Sequence, residues 1–140
     1  MIEIYTDGAC RGNPGPGGWG AILIYESNRK EIYGGSLLTT NNIMELRAVI
    51  EALKIIKFSS KIIVTTDSKY VKDGITKWIF NWKQKNWKTA SKKPVKNKDL
   101  WIKLEKLCEK NKVSWKWVKG HATNKYNNLA DQLATSAIKN

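Results

Sequence analysis

The six residues Lys61–Thr66 constrain the fold more than any other segment. Five of them, Ile62, Ile63, Val64, Thr65 and Thr66, are β-branched. So continuous a run is the pattern of a strand buried on both faces. Such a strand needs helices on both sides of its sheet. The chain has material for this, since 41% of its 140 residues are hydrophobic. That length is one ordinary domain, residues 1–140, with a core that needs no disulfide or structural metal.

The surrounding pattern fills in the cover. Residues 2–7 alternate Ile2 and Ile4 against Glu3 and Tyr5, as a strand does. A stretch from Gly12 to Gly18 reads as turn chemistry throughout. Residues 19–25 and 31–38 give two further strands, joined by a turn at Ser27, Asn28 and Arg29. Thr39 or Thr40 can cap a helix over 42–57, whose apolar stripe recurs at about 100° per residue. After the buried strand, Asp67 and Ser68 can cap a helix over 69–74, followed by a basic helix over 78–85 and a polar loop over 88–98. A helix over 99–110, a strand over 112–118 and a helix over 124–138 complete the order β-β-β-α-β-α-α-α-β-α. Hairpin strands followed by strands alternating with helices imply an α/β fold with a mixed sheet flanked by helices.

Charge narrows the partners. Twenty-five Lys and Arg against 12 Asp and Glu give a net charge of +13, with a pI near 9.8. That excess favours phosphate-rich partners, nucleic acid or an anionic surface. Two cysteines are too few for a disulfide scaffold and suit a reducing compartment. No secretory signal and no membrane-length apolar run are visible. The expectation is a cytoplasmic monomer that does not engage membranes.

In so basic a chain, four acids stand in places that ask for a reason. Asp7 ends the first strand and Asp67 the buried one, where ligands gather in sheets of this type. Glu45 falls on the sheet-facing stripe of its helix with Val49, Ala52 and Ile56. Asp131 borders the apolar stripe of the last helix, near Ala134 and Ile138. Each has a plain alternative: Asp67 a helix cap, Asp7 a turn residue, Glu45 half of a buried ion pair. Together they would repel and raise one another's pKa values, and a divalent ion relieves that. Oxygen ligands without Cys or His clustering point to Mg²⁺ or Mn²⁺ rather than zinc, and four carboxylates can hold two ions about 3.5–4 Å apart. A single histidine excludes zinc hydrolases of the His-Glu-x-x-His type, and there is neither a Walker loop nor a Gly-x-Ser-x-Gly turn. Residues 77–98 hold eight lysines and three tryptophans and no acid. Lysines beside flat aromatic surface suit phosphates and sugar.

The segments Tyr5-Thr6-Asp7-Gly8-Ala9-Cys10, Thr39-Thr40-Asn41-Asn42-Ile43-Met44-Glu45-Leu46, Thr65-Thr66-Asp67-Ser68-Lys69-Tyr70 and Trp117-Val118-Lys119-Gly120-His121, with Asp131, resemble ribonuclease HI. Gly12 to Gly18, Gly74 to Trp78, Trp87-Lys88-Thr89 and Pro94 to Asn97 extend the likeness over essentially the whole chain. It resembles the bacterial type that carries an additional basic helix and loop, the handle. The resemblance implies a five-stranded mixed sheet and an endonuclease that cuts the RNA strand of RNA–DNA hybrids with two Mg²⁺ ions, leaving 5′-phosphate and 3′-hydroxyl ends.

By the same resemblance, Asp7, Glu45, Asp67 and Asp131 match the metal-binding carboxylates and His121 the histidine of a mobile loop. Asn13, Asn41 and Asn42 match contacts to the RNA strand, with Cys10 and Gly12 beside them. Thr40 and Asn97 match a pocket for a DNA-strand phosphate, and Trp78 a residue packing on deoxyribose. Lys69, Lys83, Lys85, Trp87 and Lys88 complete the expected substrate surface. Leu38 stands where relatives often have Arg in the phosphate pocket, Lys69 where Gln is frequent, and Asn127-Asn128 where Asn-Glu is usual. Amide side chains can donate to and accept from a 2′-hydroxyl, the group that marks RNA. Two other readings stay open on the sequence alone: a nuclease or transposase of the same fold acting on DNA, and a hybrid-binding module without activity.

Overall fold

The computed structural model describes residues 1–120 and 124–138. Its elements are β1 (Ile2–Cys10), β2 (Gly15–Tyr25), β3 (Asn28–Thr39), α1 (Asn41–Lys54), β4 (Lys61–Thr66), α2 (Lys69–Asp73), a π turn (Gly74–Trp78), α3 (Ile79–Gln84), α4 (Lys98–Glu109), β5 (Lys112–Trp117) and α5 (Lys125–Ser136). The strands form one five-stranded sheet in the order β3-β2-β1-β4-β5. β1 pairs antiparallel with β2, and β2 with β3, whereas β1–β4 and β4–β5 are parallel. The mixed α/β sheet expected from the sequence is present. β4 is covered more fully on one face than on the other: Ile62, Val64 and Thr66 are buried on one side, while on the other Thr65 is buried and Ile63 half-buried.

Register decides which residue meets which helix. Gly8 pairs with Trp19, and both face α1: Trp19 packs with Met44 and Ala48, and a Cβ on Gly8 would stand 2.5 Å from the Glu45 nitrogen. Gly18 and Gly20 face the other way, toward α5. A Cβ on Gly18 would run into the Ala134 carbonyl oxygen, and one on Gly20 would lie 2.8 Å from the Ala130 oxygen. The glycine-rich stretch expected to be all turn is therefore strand from Gly15 onward. Its missing side chains let a helix backbone lie directly on the sheet, which sequence proximity alone does not reveal.

Other boundaries shift for local reasons. The β2–β3 turn is Glu26 and Ser27, with Glu26 left-handed at φ 55°, because Tyr25 already pairs with Asn28. α1 is capped by Thr40, whose hydroxyl accepts from the Ile43 N–H at 3.2 Å. It ends at Lys54 rather than 57, where the Ile56 N–H bonds to the Leu53 carbonyl at 3.2 Å and tightens the last turn. The two helices expected over 69–74 and 78–85 run on through the π turn, with Gly74 lying bare against the fully buried Trp101 ring. The expected polar loop contains a bridge between Lys88 and Pro94, and its Val95 is buried in the core.

Candidate active site

Pairing of β1 with β4 runs through Thr6 opposite Thr66. Asp67 therefore follows at the carboxyl end of β4, whereas Asp7 does not end its strand as expected: it stands inside β1, one residue past the last pair with β4, because β1 runs on to Cys10 against β2. Asp7 pairs with Gly20 and so belongs to the face covered by α5. Glu45 comes from α1 on the opposite face and reaches the same spot because Gly8 places no side chain between them. The ligand oxygens of Asp7, Glu45 and Asp67 all lie within 4.8 Å of one another. Asp131 lines the same cleft from α5 and is among the groups that raise the Asp7 pKa. It stands one step outside the tight triplet, so the four acids do not converge equally. The cleft is about 230 Å³, and Asn41, Lys119, Asn127 and Asn128 also line it.

Burial and like charge leave these acids under strain. Asp7 and Glu45 are each only 6% exposed. Burial, the Asp131 carboxyl and the charge of Asp67 push the Asp7 carboxyl up to about 8, against one opposing bond from the Gly8 N–H at 2.9 Å. Burial raises Glu45 well above the carboxylate range as well, followed by the charges of Asp7 and Asp67. No ion pair among the described residues involves these acids. Glu45 Oε1 and Asp67 Oδ1 are buried without any hydrogen-bond partner, which is costly unless something else satisfies them. Hard oxygens, unpaired and crowded, fit a divalent cation of the magnesium or manganese kind. The Asp67 backbone is held from the side: Trp117 Nε1 donates to its carbonyl at 3.0 Å, and Lys69 Nζ lies 4.6 Å from the centre of the Trp117 ring.

Around the acids, the amide residues are ordered by the start of α1. Asn13 Oδ1 accepts from the Asn41 N–H at 3.0 Å, tying the glycine loop to the helix. Gly12 holds φ 77°, a left-handed position suited to glycine. The Cys10 thiol reaches the Thr39 and Gly15 carbonyl oxygens at 3.4 and 3.5 Å. Asn42 is exposed. On the far side, Tyr70, Trp78, Trp82, Trp87 and Trp101 form a chain of ring contacts with centroids 5.2–6.0 Å apart. Trp82 packs against the core while Trp78 stays 40% exposed. Asn97, left-handed at φ 60°, donates through Nδ2 to the Tyr70 hydroxyl at 3.1 Å.

The ribonuclease H family model matches residues 1–139. The chain belongs to the ribonuclease H family. Among curated relatives, ribonuclease H of Hyphomonas neptunium is 58% identical over 134 residues, covering 96% of this chain and 89% of the relative. Among solved structures, LC9-RNase H1, a type 1 enzyme with the type 2 active-site motif, superposes with a TM-score of 0.88 at 34% identity, over 98% of this chain and 71% of that one. LC11-RNase H1, solved in complex with an RNA/DNA hybrid, matches at TM-score 0.68 and 27% identity over 99% of this chain and 96% of that one. The family is one of endoribonucleases, so the chain is an enzyme rather than an inert binding module.

Of the expected site residues, Asp7, Asn41, Glu45, Asp67 and Asp131 line one cleft, and two others call for comment. Lys83 is engaged in an ion pair with Glu105 at 2.9 Å, so its ammonium is less free than those of the exposed Lys85 and Lys88. His121 lies outside the described residues. Lys119 and Asn127 line the cleft although the sequence pattern assigns them no role. Asn127 has a signal: it stands four residues before Asp131, on the same helix face. Tyr70 stands inside a segment that resembles the family, and nothing in its own spacing marks it.

Proposed function

We propose that this ribonuclease H hydrolyses the RNA strand of RNA–DNA hybrids, leaving 5′-phosphate and 3′-hydroxyl ends, with two Mg²⁺ ions, or Mn²⁺ in their place, as cofactor. The observation that carries the reading is the triplet Asp7, Glu45 and Asp67, crowded within 4.8 Å with two buried oxygens unpaired. Asp7, Glu45, Asp67 and Asp131 would hold the metal. When bound, the cations supply Lewis-acid stabilisation of charge on the reacting phosphate and lower the pKa of attacking water. The relative solved with an RNA/DNA hybrid supports the choice of substrate.

The remaining roles belong to this chain's own side chains. Asn13, Asn41 and Asn42 present amides to 2′-hydroxyls of the RNA strand near the cut, with Cys10 and Gly12 shaping the loop beneath. Thr40 and Asn97 take DNA-strand phosphates, and Trp78 offers an exposed ring to deoxyribose. Lys69, Lys85, Trp87 and Lys88, with Lys83 partly neutralised, extend the grip along the hybrid. Requiring 2′-hydroxyls on one strand and tolerating only deoxyribose on the other selects a hybrid over either pure duplex. His121 moves a proton to or from the reacting oxygens near neutral pH. The test is to incubate end-labelled hybrid, duplex DNA and duplex RNA with the protein and Mg²⁺ and to map the product ends. Cleavage confined to the RNA of the hybrid is expected. Equal cleavage of duplex DNA, or none of any substrate, refutes the reading.

A further inference from the structure

We infer that Tyr70 is a positioning residue for the DNA strand: its hydroxyl holds the Asn97 amide and offers its own proton to the phosphate that Asn97 receives. The inference rests on the reading of Asn97 and Trp78 as DNA-strand contacts.

The hydroxyl's bonding is the first ground. Tyr70 Oη accepts from Asn97 Nδ2 at 3.1 Å and from Trp101 Nε1 at 3.3 Å. A phenol has two acceptor positions and one proton. Both acceptor positions are taken, and an indole N–H can do nothing but donate. Among the described residues none accepts the Tyr70 proton. Tyr70 is half-buried, and its proton, polarised by two incoming bonds, lacks an acceptor among the described residues. An anionic oxygen completes it.

Asn97 supplies the second ground. Its backbone is left-handed, and it stands at the N-cap of α4 without making a side-chain capping bond, so α4 itself does not orient its amide. The bond to Tyr70 does. One Nδ2 hydrogen is spent on Oη, which fixes the direction of the other in the amide plane. The third ground is the ring. It meets Trp78 at 6.0 Å and Trp101 at 5.2 Å between centroids, so one side chain backs both proposed DNA-strand contacts. Tyr70 lies in α2, three residues after Asp67. That short rigid link sets the spacing between the carboxylate triplet and the DNA-strand phosphate.

The experiment measures KM and kcat of wild type, Tyr70→Phe and Asn97→Ala on hybrids carrying one neutral methylphosphonate, placed at each DNA-strand position in turn. Tyr70→Phe is expected to raise KM about tenfold, as loss of hydrogen bonds to a charged group does, with kcat within about twofold. In wild type, one methylphosphonate position raises KM above the rest. In Tyr70→Phe, neutralising that same position adds little, because the hydroxyl that would grip it is gone. A KM rise in Tyr70→Phe that leaves this position as sensitive as before means Tyr70 is merely structural and overturns the inference alone. If Asn97→Ala has wild-type KM and no position is sensitive in wild type, the phosphate site itself falls, and the inference with it. Because Tyr70→Phe orphans the buried Trp101 N–H, the double variant Tyr70→Phe/Trp101→Phe removes that donor. It is read in the same way wherever circular dichroism shows the single variant unfolded.

Discussion

Replacing Asp7 by Asn should make the metal-free protein more stable at alkaline pH while abolishing activity. Asp7 titrates near 3.8 when exposed and is pushed up to about 8 in the fold. Below pH 4 both folded and unfolded chains hold the proton. Between pH 4 and 8 the unfolded chain has lost it and the folded chain keeps it. The folded state then binds more protons, so stability falls as pH rises through that window and levels off above 8. At about 1.36 kcal/mol per pH unit, the interval from 3.8 to about 8 corresponds to on the order of 5 kcal/mol. Asn is neutral throughout and lacks this slope. It also removes a charge that raises Glu45, while it loses nothing comparable, since among the described residues the backbone donor to Asp7 is the Gly8 N–H, which an amide oxygen also accepts. The assay is urea unfolding in EDTA from pH 4 to 9, comparing midpoints at constant m. The variant and wild type should agree near pH 4 and diverge by about 2–5 kcal/mol near pH 8.5, with Asn the more stable. Added Mg²⁺ should then stabilise wild type more than the variant, because it binds only the folded site. A variant equal to or weaker than wild type at pH 8.5 in EDTA would show that the carboxylates are not in electrostatic conflict.

Three further outcomes follow from the same geometry. Gly20→Ala puts a Cβ 2.8 Å from the Ala130 oxygen and 2.6 Å from the Leu133 Cβ, so it should cost about 1–3 kcal/mol; it should also lower kcat by moving Asp131, measured by thermal melting alongside hybrid cleavage. Lys85→Ala/Lys88→Ala should reduce the salt slope of hybrid binding by up to about 0.9 for each phosphate left without its lysine. Lys83→Ala should change that slope less, because Glu105 already partners it; equal effects in binding titrations from low to high salt would contradict this. His121→Ala should lower kcat about 10- to 10³-fold with KM little changed. An unaltered kcat across pH 6–9 would remove the histidine from the reaction.

How far the sequence alone reaches depends on where each residue's reason lies. Asp67 is legible because it breaks off a strand whose pattern is local, and Asp7 because an acid follows a strand's alternating start, although β1 runs on past it to Cys10. Glu45 is legible because a helix stripe that should be apolar contains an acid. The strand character of Gly15 to Gly18 is not, since it depends on α5 lying across those glycines from a distant part of the chain. The same holds for Lys83, whose acid partner is 22 residues away on another helix, and for Tyr70, whose two donors come from the segment leading into α4 and from α4 itself. Local pattern exposes a residue out of place in its own element. It is blind to a residue that becomes special through what a distant element brings to it.

The bare glycine floor of β2 has a consequence for synthesis. As the chain emerges, β1 to β4 and α1 can assemble and gather Asp7, Glu45 and Asp67. Gly18 and Gly20 then lie uncovered, and Asp131 has yet to be made. α5 both roofs that floor and delivers the fourth acid, so a half-made chain holds three mutually repelling carboxylates on an unfinished sheet. Closing the sheet and completing the cleft are thus one event: the helix that covers Gly18 and Gly20 is the helix that carries Asp131 to the pocket.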